Sequence, residues 1–135
     1  MRIIIPLTPT AQQRPRFARG RTYKAKSQRI NEAHLSAHLV EYAHKHRDKI
    51  PLAGPIKLTL KAVMPIPPSW SKKKQDAALT GTVWPDKRPD LSNIIKQIED
   101  VAQGILFADD KSICEISAVK RYGEVPRWEI NLEVL

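Results

Sequence analysis

At 135 residues the chain has the length of one compact domain, and 41% hydrophobic residues supply a core, which excludes a disordered chain. One cysteine, Cys114, gives no disulfide framework within the chain, and no apolar run approaches the roughly 18 residues of a membrane helix, so neither secretion nor a membrane is expected and the reading is cytosolic. The formal charge of +9 points to polyanionic partners, nucleic acid above all.

Taken in order, Arg2 to Leu7 reads as a strand, because Ile3-Ile4-Ile5 is shorter than a signal-peptide core and lacks a small-residue cleavage site. The proline- and arginine-rich stretch to Lys26 reads as a loop, and Ser27 as the cap of a helix running to about His46. Ile56 to Ala62 alternates apolar with polar residues and predicts a strand with one buried face. Met64-Pro65-Ile66-Pro67-Pro68 is stiff and extended, and Ser69-Trp70-Ser71 then introduces a short helix bearing Lys72, Lys73 and Lys74. A helix follows from about Leu91 to Gln103, with Gly104 as its stop. Ile105 to Phe107 is expected to start a strand, Asp109-Asp110-Lys111 to turn into another from about Ile113 to Tyr122, and Gly123 to Pro126 to make a hairpin into a last strand, Trp128 to Val134. The expectation is a single α+β domain, residues 1 to 135, with a mostly antiparallel sheet carrying helices on one face.

The charge is concentrated. Residues 1 to 31 hold Arg2, Arg14, Arg16, Arg19, Arg21, Lys24, Lys26 and Arg29 and no acidic residue, so this segment supplies +8 of the total +9. With Phe17 and Tyr23 among the cations, it reads as a phosphate-tracking surface with aromatic contacts, set against the plainer reading of a solvated basic loop. Lys72, Lys73 and Lys74 lie beside Trp70 and would add phosphate contacts, although such a run also reads as a solvated face.

The carboxylates of the C-terminal third carry the chemistry. At about 100° per residue, Ile94, Ile95, Ile98, Val101, Ala102 and Ile105 share one arc of the 91–103 helix, while Asn93, Lys96 and Asp100 gather on the other side. Asp90 opens that helix and Asp109-Asp110 follow it, acidic positions in a basic chain where a Mg²⁺ site could assemble. Each has a structural alternative: Asp90 or Ser92 as an ordinary N-cap, Asp109-Asp110 as an ordinary turn, and Lys96 as an i,i+4 partner of Asp100. His34 and His38 share a helix face without accompanying carboxylates or cysteines and are read as surface or dimer-contact residues. Cys114 is expected to be a small buried hydrophobe, and the three tryptophans to be packing residues, with Trp70 the one to meet DNA.

Arg14-Pro15-Arg16-Phe17 with Tyr23, then Pro68-Ser69-Trp70-Ser71-Lys72-Lys73-Lys74, then Arg88-Pro89-Asp90-Leu91-Ser92-Asn93-Ile94-Ile95-Lys96, Glu99-Asp100 and Asp109-Asp110 stand in a specific order and spacing. In this the chain resembles the RusA-like Holliday junction resolvases, small homodimeric endonucleases of phage and bacterial genomes. The resemblance implies hydrolysis of phosphodiesters in four-way DNA junctions during recombination and repair, with Mg²⁺ or Mn²⁺. It matches Asp90 and Asp110 to acidic metal positions and Lys96 to a catalytic lysine, with Asp100 and Asp109 as reserve ligands. The family pattern Pro-Asp-x-Asp-Asn is broken by Ser92 at the second aspartate. That departure favours an alternative, a branched-DNA-binding protein that does not cut, while an RNA-binding accessory protein would rest on charge and size alone. The resemblance also implies a two-fold dimer, since paired cuts in a junction call for two equivalent sites.

Overall fold

Alternating burial identifies the face each strand gives to the core. In β1 (Arg2–Ile5) Ile3 and Ile5 are buried and Ile4 is exposed, and in β6 (Arg127–Val134) Trp128, Ile130 and Leu132 are buried. β4 (Ile56–Pro65) buries Ile56, Leu58, Leu60, Ala62 and Met64 on the same side. The computed structural model describes residues 1–13, 16–23 and 25–135, with 16, 17, 22 and 23 defined by their backbone alone.

These strands and β5 (Ile113–Gly123) form a four-stranded sheet in the order β1-β6-β4-β5. β6 runs antiparallel to both neighbours, with Ile130 opposite Ile3 and Leu60, whereas β4 and β5 are parallel, with Leu60 beside Ala118. The sheet is therefore mixed, and its longest pairing is the parallel one. Residues 124–126 do not form the expected hairpin, because β4 lies between β5 and β6. A parallel neighbour needs a long crossover, which residues 66–112 supply. That crossover carries α2 (Lys72–Thr80) and α3 (Leu91–Ala102).

α1 (Lys26–Lys45) brings Leu35 and Leu39, one turn apart, and α3 brings Ile94, Ile98 and Ala102, all into one cluster with the buried face of the sheet. α1 begins two residues earlier than a Ser27 cap suggests: Ala25 occupies the N-cap position and makes no side-chain cap bond. The basic loop contains a hairpin, β2 (Arg16–Ala18) and β3 (Arg21–Tyr23), turned by Arg19 and Gly20, both at positive φ. Ile105 to Phe107 is not strand. Gly104 at φ 83 makes a turn in which Ile105 and Leu106 both donate to the Ala102 carbonyl, and the apolar run fills the core with Leu106 and Phe107. Cys114 is exposed on β5, an edge strand whose residues 114–117 all face solvent.

Candidate active site

Three segments meet at the start of α3. Asp90 holds the N-cap position, and its carbonyl accepts from the backbone amides of Asn93 (3.1 Å) and Ile94 (3.0 Å). Its carboxylate makes no capping bond and is exposed, so capping has not consumed it. The residues before it are held from the sheet: Lys120 Nζ donates to the carbonyls of Lys87 (2.7 Å) and Pro89 (2.9 Å). On the other side the 9–13 segment is laced to α3 by the Gln12 amide on the Asn93 carbonyl (3.1 Å). Between them lies a cleft of about 940 Å³, lined among others by Gln12, Gln13, Asn31, Arg88, Asp90 and Asn93.

Lys96 is exposed and forms no ion pair among the described residues, so the i,i+4 pairing with Asp100 is not made. Asp100 accepts instead from Gln12 Nε2 at 2.7 Å. Gln12 accepts in turn from the amide of Gln28, which is only 2% exposed, and Gln28 also donates to Glu32 (3.1 Å) and accepts from the Gln13 amide (3.0 Å). A chain of amides thus connects α1, through the 12–13 segment, to the last turn of α3.

Asp110 lies near the far end of α3, its backbone amide donating to Gln103 Oε1 at 3.0 Å. The Glu99 carboxyl is pushed above its usual range, first by burial and then by the neighbouring Asp110 and Asp100. Asp109 does what a turn aspartate does: its carboxylate accepts from the Lys111 amide at 2.9 Å, the main cause of its lowered pKa, and caps the short 3₁₀ turn Asp110–Ser112. Asp110, Asp100 and Glu99 are therefore neighbours, while Asp90 stands at the other end of a 12-residue helix, about 18 Å long. Among the described residues no three acidic, histidine or cysteine side chains gather into a metal-holding group.

Glu99 and Lys120 went unassigned in the sequence, as did Gln12, Gln28 and Gln103. Glu99 had a legible signal, since Gln103, which anchors Asp110, stands four residues on and shares its helix face. Lys120 had none, because its partners lie 31 and 33 residues away. Of the basic positions, Arg19, Arg21 and Lys26 are exposed around the hairpin and the start of α1. Arg14 and Lys24 lie outside the described residues, and so does the side chain of Arg16. Lys72, Lys73 and Lys74 are exposed on the first turn of α2, which Ser71 caps by accepting from the Lys74 amide, and Lys74 lies 4.0 Å over the Trp70 ring.

An acidic helix start beside a polar cleft, within a basic chain, is the arrangement to compare with known proteins. The sequence model of one family, Endodeoxyribonuclease RusA, matches residues 6–133. The chain belongs to the RusA endodeoxyribonuclease family. It is also 30% identical over 131 residues to an uncharacterized protein, YqaN, of Bacillus subtilis (strain 168), covering 92% of this chain and 89% of that one. The family match spans the cleft, α3 and β5, so the residues just described all fall within a RusA nuclease domain. Among the described residues no helix is long and apolar enough to cross a membrane.

Proposed function

We propose that the chain is a divalent-cation-dependent endonuclease that cuts four-way DNA junctions in pairs, working as a homodimer in the cytosol of a bacterium or of a phage-infected cell. The observation that carries this reading is the exposed Asp90 carboxylate, which makes no capping bond and has no partner among the described residues, on the lip of the cleft within a RusA domain.

The donor chemistry fits Mg²⁺ or Mn²⁺. The carboxylates of Asp90, Asp100 and Asp110 offer hard oxygens, and the Glu99 carboxyl is raised first by burial and then by the neighbouring Asp110 and Asp100. The separation of Asp90 from Asp110 suits ions held by one or two carboxylates, with phosphate oxygens and water completing the shell. Asp90 would hold such an ion at the cleft, and Asp110 would offer a second position. When bound, the cation supplies an acidified water and countercharge for the phosphorane oxygens.

The protein's own groups do the rest. Lys120 keeps the 87–89 backbone in place, so Asp90 meets the phosphate from a fixed direction. Lys96, about 9 Å further along the helix axis and free of ion pairs among the described residues, offers its ammonium to the oxygen that leaves as the P–O bond breaks. Asp100 is engaged by Gln12, which leaves Asp90 and Asp110 as the primary pair. Arg19, Arg21, Lys26 and the α2 lysines, all exposed, would grip the junction arms.

The test is cleavage of a labelled synthetic four-way junction with Mg²⁺ or with EDTA, beside linear duplex and Asp90→Asn. Paired, symmetric, Mg²⁺-dependent nicks that vanish in the variant are expected. Tight junction binding without nicks in Mg²⁺ or Mn²⁺ would refute the reading. It would support instead a branched-DNA binder, which Ser92 in place of the second aspartate and the absence of a three-ligand group among the described residues favour.

A further inference from the structure

Trp84 was expected to be a packing residue, yet 53% of its surface is in solvent. One face of the indole is covered by the Arg121 guanidinium, whose carbon lies 3.9 Å from the ring centroid. An exposed indole with a planar cation on one side keeps its second face for another planar group. The seat for the arginine is built by Gly81, the left-handed C-cap of α2, where a Cβ would lie 2.2 Å from a guanidinium nitrogen. The other two tryptophans are not comparable: Trp128 is fully buried, and Trp70 is occupied by Lys74 and by the edge contact with Tyr122.

The position of the pair is informative. Arg121 adjoins Lys120 on β5, and Lys120 holds the backbone immediately before Asp90. Trp84 lies in the loop of residues 81–90 that joins α2 to α3 and ends at Asp90, and the loop bends just after it, the Asp86 amide donating to the Trp84 carbonyl at 2.9 Å. Between ring and carboxylate stand the exposed cations Lys87 and Arg88, against one exposed acid, Asp86. A polyanion is therefore favoured over a basic or neutral partner, and a ring free on one face selects a polyanion that carries flat π-systems.

We propose that Trp84, seated on Arg121, is a stacking platform for one unpaired base of the DNA strand whose phosphate lies at Asp90. The placement beside the cut rests on the nuclease reading; the stacking requires only DNA with an unpaired base, which branched DNA offers where its arms meet. Because every base has a π-face, the platform accepts any of the four and positions the strand without reading sequence.

The full chain, Trp84→Phe and Trp84→Ala are titrated with an oligothymidylate and with a four-way junction, following tryptophan emission and binding. Emission of the parent is expected to be quenched by the oligothymidylate. Trp84→Phe should bind both within about 3-fold of the parent but lose most of the quenching, and Trp84→Ala should bind the oligothymidylate about 5- to 150-fold more weakly. Trp84→Phe keeps the test valid if the alanine variant folds poorly. Unchanged quenching in Trp84→Phe, or parent-like binding of both ligands by folded Trp84→Ala, would overturn the proposal. So would a loss of self-association by Trp84→Ala with no change in DNA affinity per protomer, which would make the ring a contact between copies. A parent that is quenched as expected yet nicks no junction with Mg²⁺ would sink the nuclease reading and leave the platform standing. Normal nicking with a parent-like Trp84→Ala would do the reverse.

Discussion

Lys120→Met tests how the sheet controls the site. The substitution preserves most of the aliphatic stem and removes an ammonium that donates to two carbonyls, 2.7 and 2.9 Å away, on the segment leading into Asp90. Hydrogen bonds from charged donors contribute about 1.5–3 kcal/mol each, but Lys120 is partly exposed, and water replaces some of what is lost. The expected net cost is about 1–2 kcal/mol, a fall in Tm of about 3–8 °C for a domain of this size. The effect on catalysis should be larger, because misplacing a reacting group by about 1 Å costs up to about 100-fold. Junction nicking at saturating substrate should therefore fall by about 10- to 100-fold. Because the ammonium is already committed to protein carbonyls, junction affinity and its dependence on salt should stay within about 2-fold of the parent. Lys120→Arg, which keeps a cationic donor, should recover part of the rate. The reasoning fails if Lys120→Met nicks at the parental rate while its salt slope drops by about 1, for then Lys120 contacts phosphate and does not tether the loop.

Asp109 and Asp110 should separate by role: Asp109→Asn keeps nicking within a few-fold, whereas Asp110→Asn loses it with junction binding intact, and equal losses would contradict the assignment of Asp109 as a cap. Gln28→Leu leaves the partners of a buried amide unpaired and should destabilise by about 1–3 kcal/mol, seen as a lower Tm; a parental Tm would mean that the amide chain from α1 to α3 carries no stability. Glu99 has a folded pKa raised above its unfolded value, so its contribution is fully present below the unfolded pKa and is lost as pH rises through the folded one. Glu99→Gln, which cannot ionise, should accordingly melt above the parent at pH 7 in EDTA, with the difference closing below about pH 4. A difference that does not change with pH would show that charge is not its cause.

The elements that could be read directly were those whose pattern is local. α3 announced itself through Ile94, Ile98 and Ala102 at helical spacing before a stop at Gly104, and β6 through strict alternation from Trp128 to Leu132. α2 was legible in Ser71, whose hydroxyl does cap it. The Arg19-Gly20 hairpin lacked the Asn-Gly or Asp-Gly signal that marks such turns, and only the backbone at positive φ discloses it.

The exposed face of a residue is encoded by periods of 2 and 3.6, and these survive in a single chain without knowledge of its neighbours. From them come the α+β class and the separation of the apolar arc of α3 from Asn93, Lys96 and Asp100. Which strand pairs with which is another matter: alternation in β4 and β6 names the buried side and says nothing of the partner, so the parallel β4–β5 pairing and the insertion of β4 between β5 and β6 emerge only from the folded sheet. The same holds for the site. Gln12 on Asp100, Lys120 beneath Pro89 and Arg121 beneath Trp84 join residues 88, 31 and 37 positions apart, and the contacts that set their chemistry exist only once the chain has closed on itself.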